Sequence, residues 1–328
     1  MGSGETMAYS ESLVSREQME GLWISIRQQT NDPRAGILGP GSTSWRVDRE
    51  AALFLGAGRA ALLQLAHPWV AASLDQHSNL REDPLARFHN TFRVVFTIIF
   101  GTLEQALAAS RHLYLLHTRI RGELPETVAA HQRGAHYEAN ELNALLWVYA
   151  TLVESGLMAY DCVLPPLSSQ EREIYYAESK KTAALFGIPA DALPPDWAGF
   201  QSYTRTMCES QKLGVSSLSR EMAHRVLHGR GSWVPVPEWY RALTTAWIPE
   251  RLREEFGLAY GAKERDAAAK AMDRLPRIYR RLPAIARFVG PYREALARLR
   301  DRGPGPTVGL SNRFWIGQRR MMFSDLGR

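Results

Sequence analysis

The sequence predicts an all-α protein, a single globular multi-helix bundle. Apolar residues recur at three- and four-residue steps through most of the chain, and no segment alternates apolar with polar residues as a half-buried strand does. No repeat of fixed period divides the chain, and its 45% apolar and 23% charged residues are the balance of a packed globular protein.

The clearest element is Asn140–Tyr160. Leu142, Leu145, Leu146, Tyr149, Leu152, Val153, Gly156, Leu157 and Tyr160 keep a helical rhythm, and Trp147 and Val148 leave the opposite face only weakly polar. This is a central, mostly buried helix. Tyr149 sits in the middle of its apolar face, so its hydroxyl requires a partner.

Along the chain, Ser15 caps a helix running to Gln29, with Met19, Leu22, Trp23 and Ile26 on its apolar edge. Residues 32–44 are rich in Gly, Pro and Ser and read as an irregular connection. A helical stripe from Asp48 to Leu74 is interrupted by Gly56, Gly58 and Pro68; the proline predicts a boundary or kink at His67. A polar link over residues 78–84 leads to a helix through Leu85, Phe92, Val95 and Ile99, stopped by Gly101. Thr102, with Gln105 three residues on, caps a helix expected to reach Gly122. Pro165 and Pro166 end the central helix, and Ser168 caps the next, to Phe186. Further helices are predicted over 197–213, 217–227, 238–247, 249–256, 262–275, 276–289 and 291–300. Residues 1–44 are thus expected to form an N-terminal helix and irregular lead, 45–302 the helical domain, and 303–328 a basic-aromatic tail.

The net charge of +6 is modest, is spread along the chain and comes mostly from arginine; with no recognised module, nucleic-acid binding is not expected. Cys162 and Cys208 fit no zinc, iron–sulfur or redox spacing, which suits a reducing cytoplasm. The most apolar run, Val94–Phe100, is too short to span a bilayer, and no signal-peptide core is evident. Peripheral membrane contact is expected of the tail, where arginines mix with Phe314, Trp315, Met321, Met322 and Phe323. The oligomeric state is not legible.

Standard catalytic signatures are missing. Gly56–Ala61 has two of the glycines of a dinucleotide loop but no preceding strand, and there is no HExxH or GxSxG. Histidine, tyrosine and arginine on apolar helices remain. His67 is either a helix-ending histidine bonded to a carbonyl or a pocket residue, and His117, followed by Arg119 and Arg121, is either a capping cluster or a ligand. His224 and His228 lie one turn apart without an acidic third ligand.

The stretches GRAALLQLAHP, REDPLARFHNTF, HTRIRG, ELNALLWVYATLVES and AWIPERLREEFGLAYG, in order from about Asp48 to about Arg300, resemble the DUF2236 family, the oxygenase fold of latex-clearing protein (rubber oxygenase) and the MpaB oxygenases. The resemblance implies an all-helical oxygenase with an internal apolar pocket for haem b, using O2 on a hydrophobic small molecule, for example by C=C cleavage. It implies the iron ligand at Tyr149, where many relatives carry histidine, with His117 as the alternative donor. Arg59, Arg81 and Arg119 join these two as expected haem contacts, and His67 and Glu154 are the expected catalytic residues. Arg87 matches another recurrent family position, and Glu154 either orients a ligand or pairs with an arginine on a neighbouring helix. The competing expectation is a non-catalytic haem- or lipophile-binding protein, or a haem-free homologue.

Overall fold

The computed structural model describes residues 13–78, 84–229 and 236–321. Its helices are α1 (Arg16–Gln29), α2 (Thr43–Asp48), α3 (Ala57–Leu65), α4 (Pro68–His77), α5 (Pro84–Phe100), α6 (Leu103–His117), α7 (Leu142–Val163), α8 (Ser169–Leu185), α9 (Trp197–Glu209) and α10 (Ser217–His228). They continue as α11 (Glu238–Trp247), α12 (Glu250–Glu255), α13 (Ala262–Tyr279), α14 (Ala284–Arg287), α15 (Gly290–Leu299) and α16 (Pro306–Ile316).

Local chemistry starts several of them. Ser15, Thr102 and Ser168 each form a reciprocal capping box, with Gln18, Gln105 and Glu171. Pro68 takes the first position of α4, where its missing amide costs nothing, and His67 is the extended residue before it. Glu141 caps α7, its Oε2 accepting the Ala144 amide at 2.7 Å.

The bundle is organised around α7. Leu145, Leu146, Tyr149, Ala150, Val153 and Leu157 anchor a core shared with α1, α8 and α9. On the other side, Trp147 joins Leu62, Leu63 and Leu65 of α3, and its indole donates to the Leu63 carbonyl. By length and hydropathy α7 would suit a membrane span, yet 61% of that window is buried in this protein, as in a core helix. Gly56, ending a 3₁₀ turn, approaches the Ser155 carbonyl so closely that a Cβ would overlap it, and this lets the start of α3 cross α7 at short range.

Two details differ from the sequence reading, and two add to it. Helix α6 ends at His117, and Arg121–Glu123 pairs antiparallel with His136–Glu138 as a small ribbon too short for an alternating pattern to show. Pro276 lies inside α13 and does not separate two helices; only three residues follow it in the helix, so little is lost. The N-terminal helix packs by the apolar edge the sequence gives it: Met19 and Ile26 are buried and Trp23 donates to Ser110 Oγ at 2.7 Å. The described part of the tail packs on the domain by one face: Trp315 stacks on Phe54 at 3.9 Å between ring centres and Ile316 and Met321 are fully buried, while Phe314 stays 64% exposed. Trp315 and Met321 are therefore spent on the core and do not face a membrane; Met322 and Phe323 lie outside the described residues.

Candidate functional site

Helices α5 and α6 turn back on each other at Gly101–Thr102 and pack side by side. Arg87 and His117 lie at similar distances from that turn along the two helices, so the hairpin brings them together. The Asn140 side chain, just before α7, lies beside the His117 imidazole. Burial first, and the Arg87 charge second, push the imidazole down to about 4, leaving it neutral with a lone pair to offer at neutral pH. Burial also lowers the basicity of Arg87, and no carboxylate among the described residues pairs with its guanidinium. The site is thus a neutral imidazole beside a guanidinium without a carboxylate partner among the described residues. Leu115 and Leu116, 55% and 42% exposed, are apolar surface of the same helix.

Tyr149, the first choice for an iron ligand, does not fit that role. It is 4% exposed, and its hydroxyl donates to the Ser179 carbonyl at 2.5 Å. Burial holds the phenol well above its usual range, and Asp48 and Tyr176 nearby push the same way. A phenolate here would lose its carbonyl partner and add an anion beside buried Asp48. Tyr149 is a core tyrosine whose hydroxyl ties α7 to α8.

Arg59 and Glu154 are likewise engaged with each other. Arg59 Nη2 meets Glu154 Oε2 at 2.6 Å, Nη1 donates to Ser155 Oγ at 2.8 Å and Nε to the Trp247 carbonyl at 3.0 Å. Glu154 Oε1 accepts from Thr204 Oγ1 at 2.8 Å. This network joins α3, α7, α9 and the end of α11. It engages all three guanidinium nitrogens of Arg59 inside the bundle and commits Glu154 to the helix-to-helix salt bridge.

His67 is buried at the start of α4, its ring 6.0 Å from that of Trp69 and 5.7 Å from that of His131. His67 Nδ1 and Trp69 Nε1 are buried without a protein partner. Burial, then His131 and Lys212, push His67 down to about 3, so it is a neutral acceptor and a poor proton donor. It makes no contact with the Arg87–His117 pair that any hydrogen bond or ring pairing records. Arg119 is exposed, two residues beyond α6, and Arg81 lies outside the described residues. His224 and His228 stack at 5.8 Å on the exposed face of α10, with His228 Nδ1 held by the His224 carbonyl.

Among the described residues no three His, Cys, Asp or Glu side chains converge as a metal cage. A lone neutral imidazole suits a porphyrin, whose other donors come with the group, better than a metal built from protein ligands. The family described as ER-bound oxygenase mpaB/B'/rubber oxygenase, catalytic domain, matches residues 45–288, well over half of the chain. The chain belongs to this mpaB/rubber oxygenase family. Its fold is all-helical and its domain type is an oxygenase catalytic domain. No curated protein and no solved structure matches the chain. The matched span of the mpaB/rubber oxygenase domain holds α2 to α14, hence every candidate residue above, while α1, α15 and α16 pack on it from outside.

Asn140 is the site residue that sequence reasoning missed. In the sequence it is only the first, polar residue of the central helical stretch; the fold brings it to His117.

Proposed function

We propose that this chain is an oxygenase that holds haem b through His117 and uses O2 to oxidise a hydrophobic small molecule. The observation that carries the reading is the His117–Arg87 pair: a neutral imidazole next to a guanidinium that has no carboxylate partner among the described residues. Haem b supplies the redox-active iron needed for dioxygen chemistry. The chain's own contributions follow from its side chains. His117 offers a ring lone pair, and low basicity keeps that pair free of a proton. Asn140 lies beside the ring, where partners that orient ligating histidines sit. Arg87 offers its fork to a carboxylate such as a propionate. Membership of an oxygenase catalytic-domain family supports the reaction class, and the apolar surface at Leu115 and Leu116 suits a hydrophobic substrate.

The test is an absorption spectrum of protein produced with added haem precursor. Wild type is expected to show a Soret band, Tyr149→Phe to keep its position, His117→Ala to lose or shift it, and Arg87→Leu to lower haem occupancy. A colourless wild type, or a band that survives His117→Ala and vanishes in Tyr149→Phe, overturns the assignment.

A further inference from the structure

Between the end of α13 and the start of α15 the chain presents apolar side chains to solvent in a way the core does not explain. Ile278 is 57% exposed, Leu282 38% and Ile285 53%, and residues 280–286 are all exposed. This run is pinned at both ends. At one end Tyr279 is buried, its hydroxyl donating to Glu50 Oε2 at 2.9 Å. At the other, Arg287 Nη2 meets Glu50 Oε1 at 2.9 Å and the Phe288 ring lies 4.4 Å from the Arg49 guanidinium. Within the run the Leu282 amide bonds the Tyr279 carbonyl and the Ala286 and Arg287 amides bond the Pro283 carbonyl. The result is a knuckle held in shape with its apolar tips outward.

Its rim is basic. Arg274, Arg277, Arg280 and Arg281 are all exposed, and after Asp273 no acidic residue occurs until Glu294. Arg277 is partly offset by Asp273, and Arg280 Nε reaches the Val163 carbonyl; Arg274 and Arg281 make no recorded ion pair. Arg274, Ile278 and Arg281 fall on one side of the helix end, next to Leu282.

We infer that the knuckle Ile278–Ala286 docks the protein on an anionic membrane surface, with Ile278, Leu282 and Ile285 entering the interface and Arg274 and Arg281 meeting lipid phosphates. Apolar tips inside an arginine rim match a bilayer's acyl boundary beneath anionic headgroups. Exposed apolar clusters of this kind mark interaction surfaces, and the lack of acidic residues selects the anionic one. The site is independent of the haem reading.

Vesicle co-sedimentation of the full chain tests it, with phosphatidylcholine alone against phosphatidylcholine mixed with phosphatidylglycerol. Binding is expected only with phosphatidylglycerol. Ile278→Ser/Leu282→Ser/Ile285→Ser is expected to weaken it roughly tenfold or more with an unchanged melting curve, because these side chains carry little of the fold. Arg274→Ser/Arg281→Ser weakens it on the order of twentyfold at low salt and much less at high salt. Equal binding of wild type and the triple serine variant, or no binding of wild type, overturns the inference. So does a wild-type dimer in light scattering that becomes monomeric in the triple variant, since a second copy would then be what covers the knuckle.

Discussion

Glu154→Ala is the sharpest probe of how this fold uses its charged residues. The substitution leaves Arg59, 5% exposed, with its bonds to Ser155 and the Trp247 carbonyl but no counter-ion. Removing one partner of a buried ion pair costs about 3–5 kcal/mol, because the remaining charge stays desolvated. The Glu154 side chain is 23% exposed, so water partly solvates the gap and the lower end, about 3 kcal/mol, is expected. At roughly 2–4 °C per kcal/mol for a large domain, the midpoint should fall about 6–12 °C. Arg59→Met should cost less, since Glu154 keeps Thr204 and some solvent. The double variant then isolates the pair, with a coupling energy of about 1–3 kcal/mol expected from thermal or urea unfolding of all four proteins. A coupling below about 0.5 kcal/mol would refute a structural strut. If Glu154→Ala melted like wild type and yet lost haem or turnover, the carboxylate would belong to the chemistry instead.

Two further outcomes follow from the core. Asp48 is buried and its carboxyl is raised to about 7, mainly by burial, against 3.8 when free. Its stabilising contribution is therefore full below about pH 4 and is lost as pH rises through about 7, a loss on the order of 4 kcal/mol. Asp48→Asn should remove that slope and be more stable than wild type at pH 8 in urea titrations; parallel curves for the two proteins would contradict it. Trp315→Ala removes the ring stacked on Phe54 and should cost roughly 3–5 kcal/mol. Limited proteolysis should then cut near α16 first, and an unchanged digestion pattern would mean that α16 is not held by this contact.

The sequence by itself determined what depends on neighbours a few residues apart. Ser15, Thr102 and Ser168 start helices because a cap and its N3 partner lie within one turn. Pro68 sets the boundary at His67 through sterics local to the bond, and the apolar period of α7 announces a buried helix whatever packs on it. The order of motifs from Gly58 to Tyr260 also carried the family. Tertiary structure decided which chemical groups are free. Tyr149 and His117 both read as donors on helices; α8 supplies the Ser179 carbonyl that occupies one, while the α5–α6 hairpin brings the other to Arg87 and the approach to α7 brings it Asn140. Glu154 is committed by Arg59, 95 residues earlier, and Trp315 by Phe54, more than 250 residues earlier. Such pairings leave no local trace, because a side chain's hydrogen-bonding capacity is fixed by residue type but its partner is fixed by whichever helix the fold lays across it.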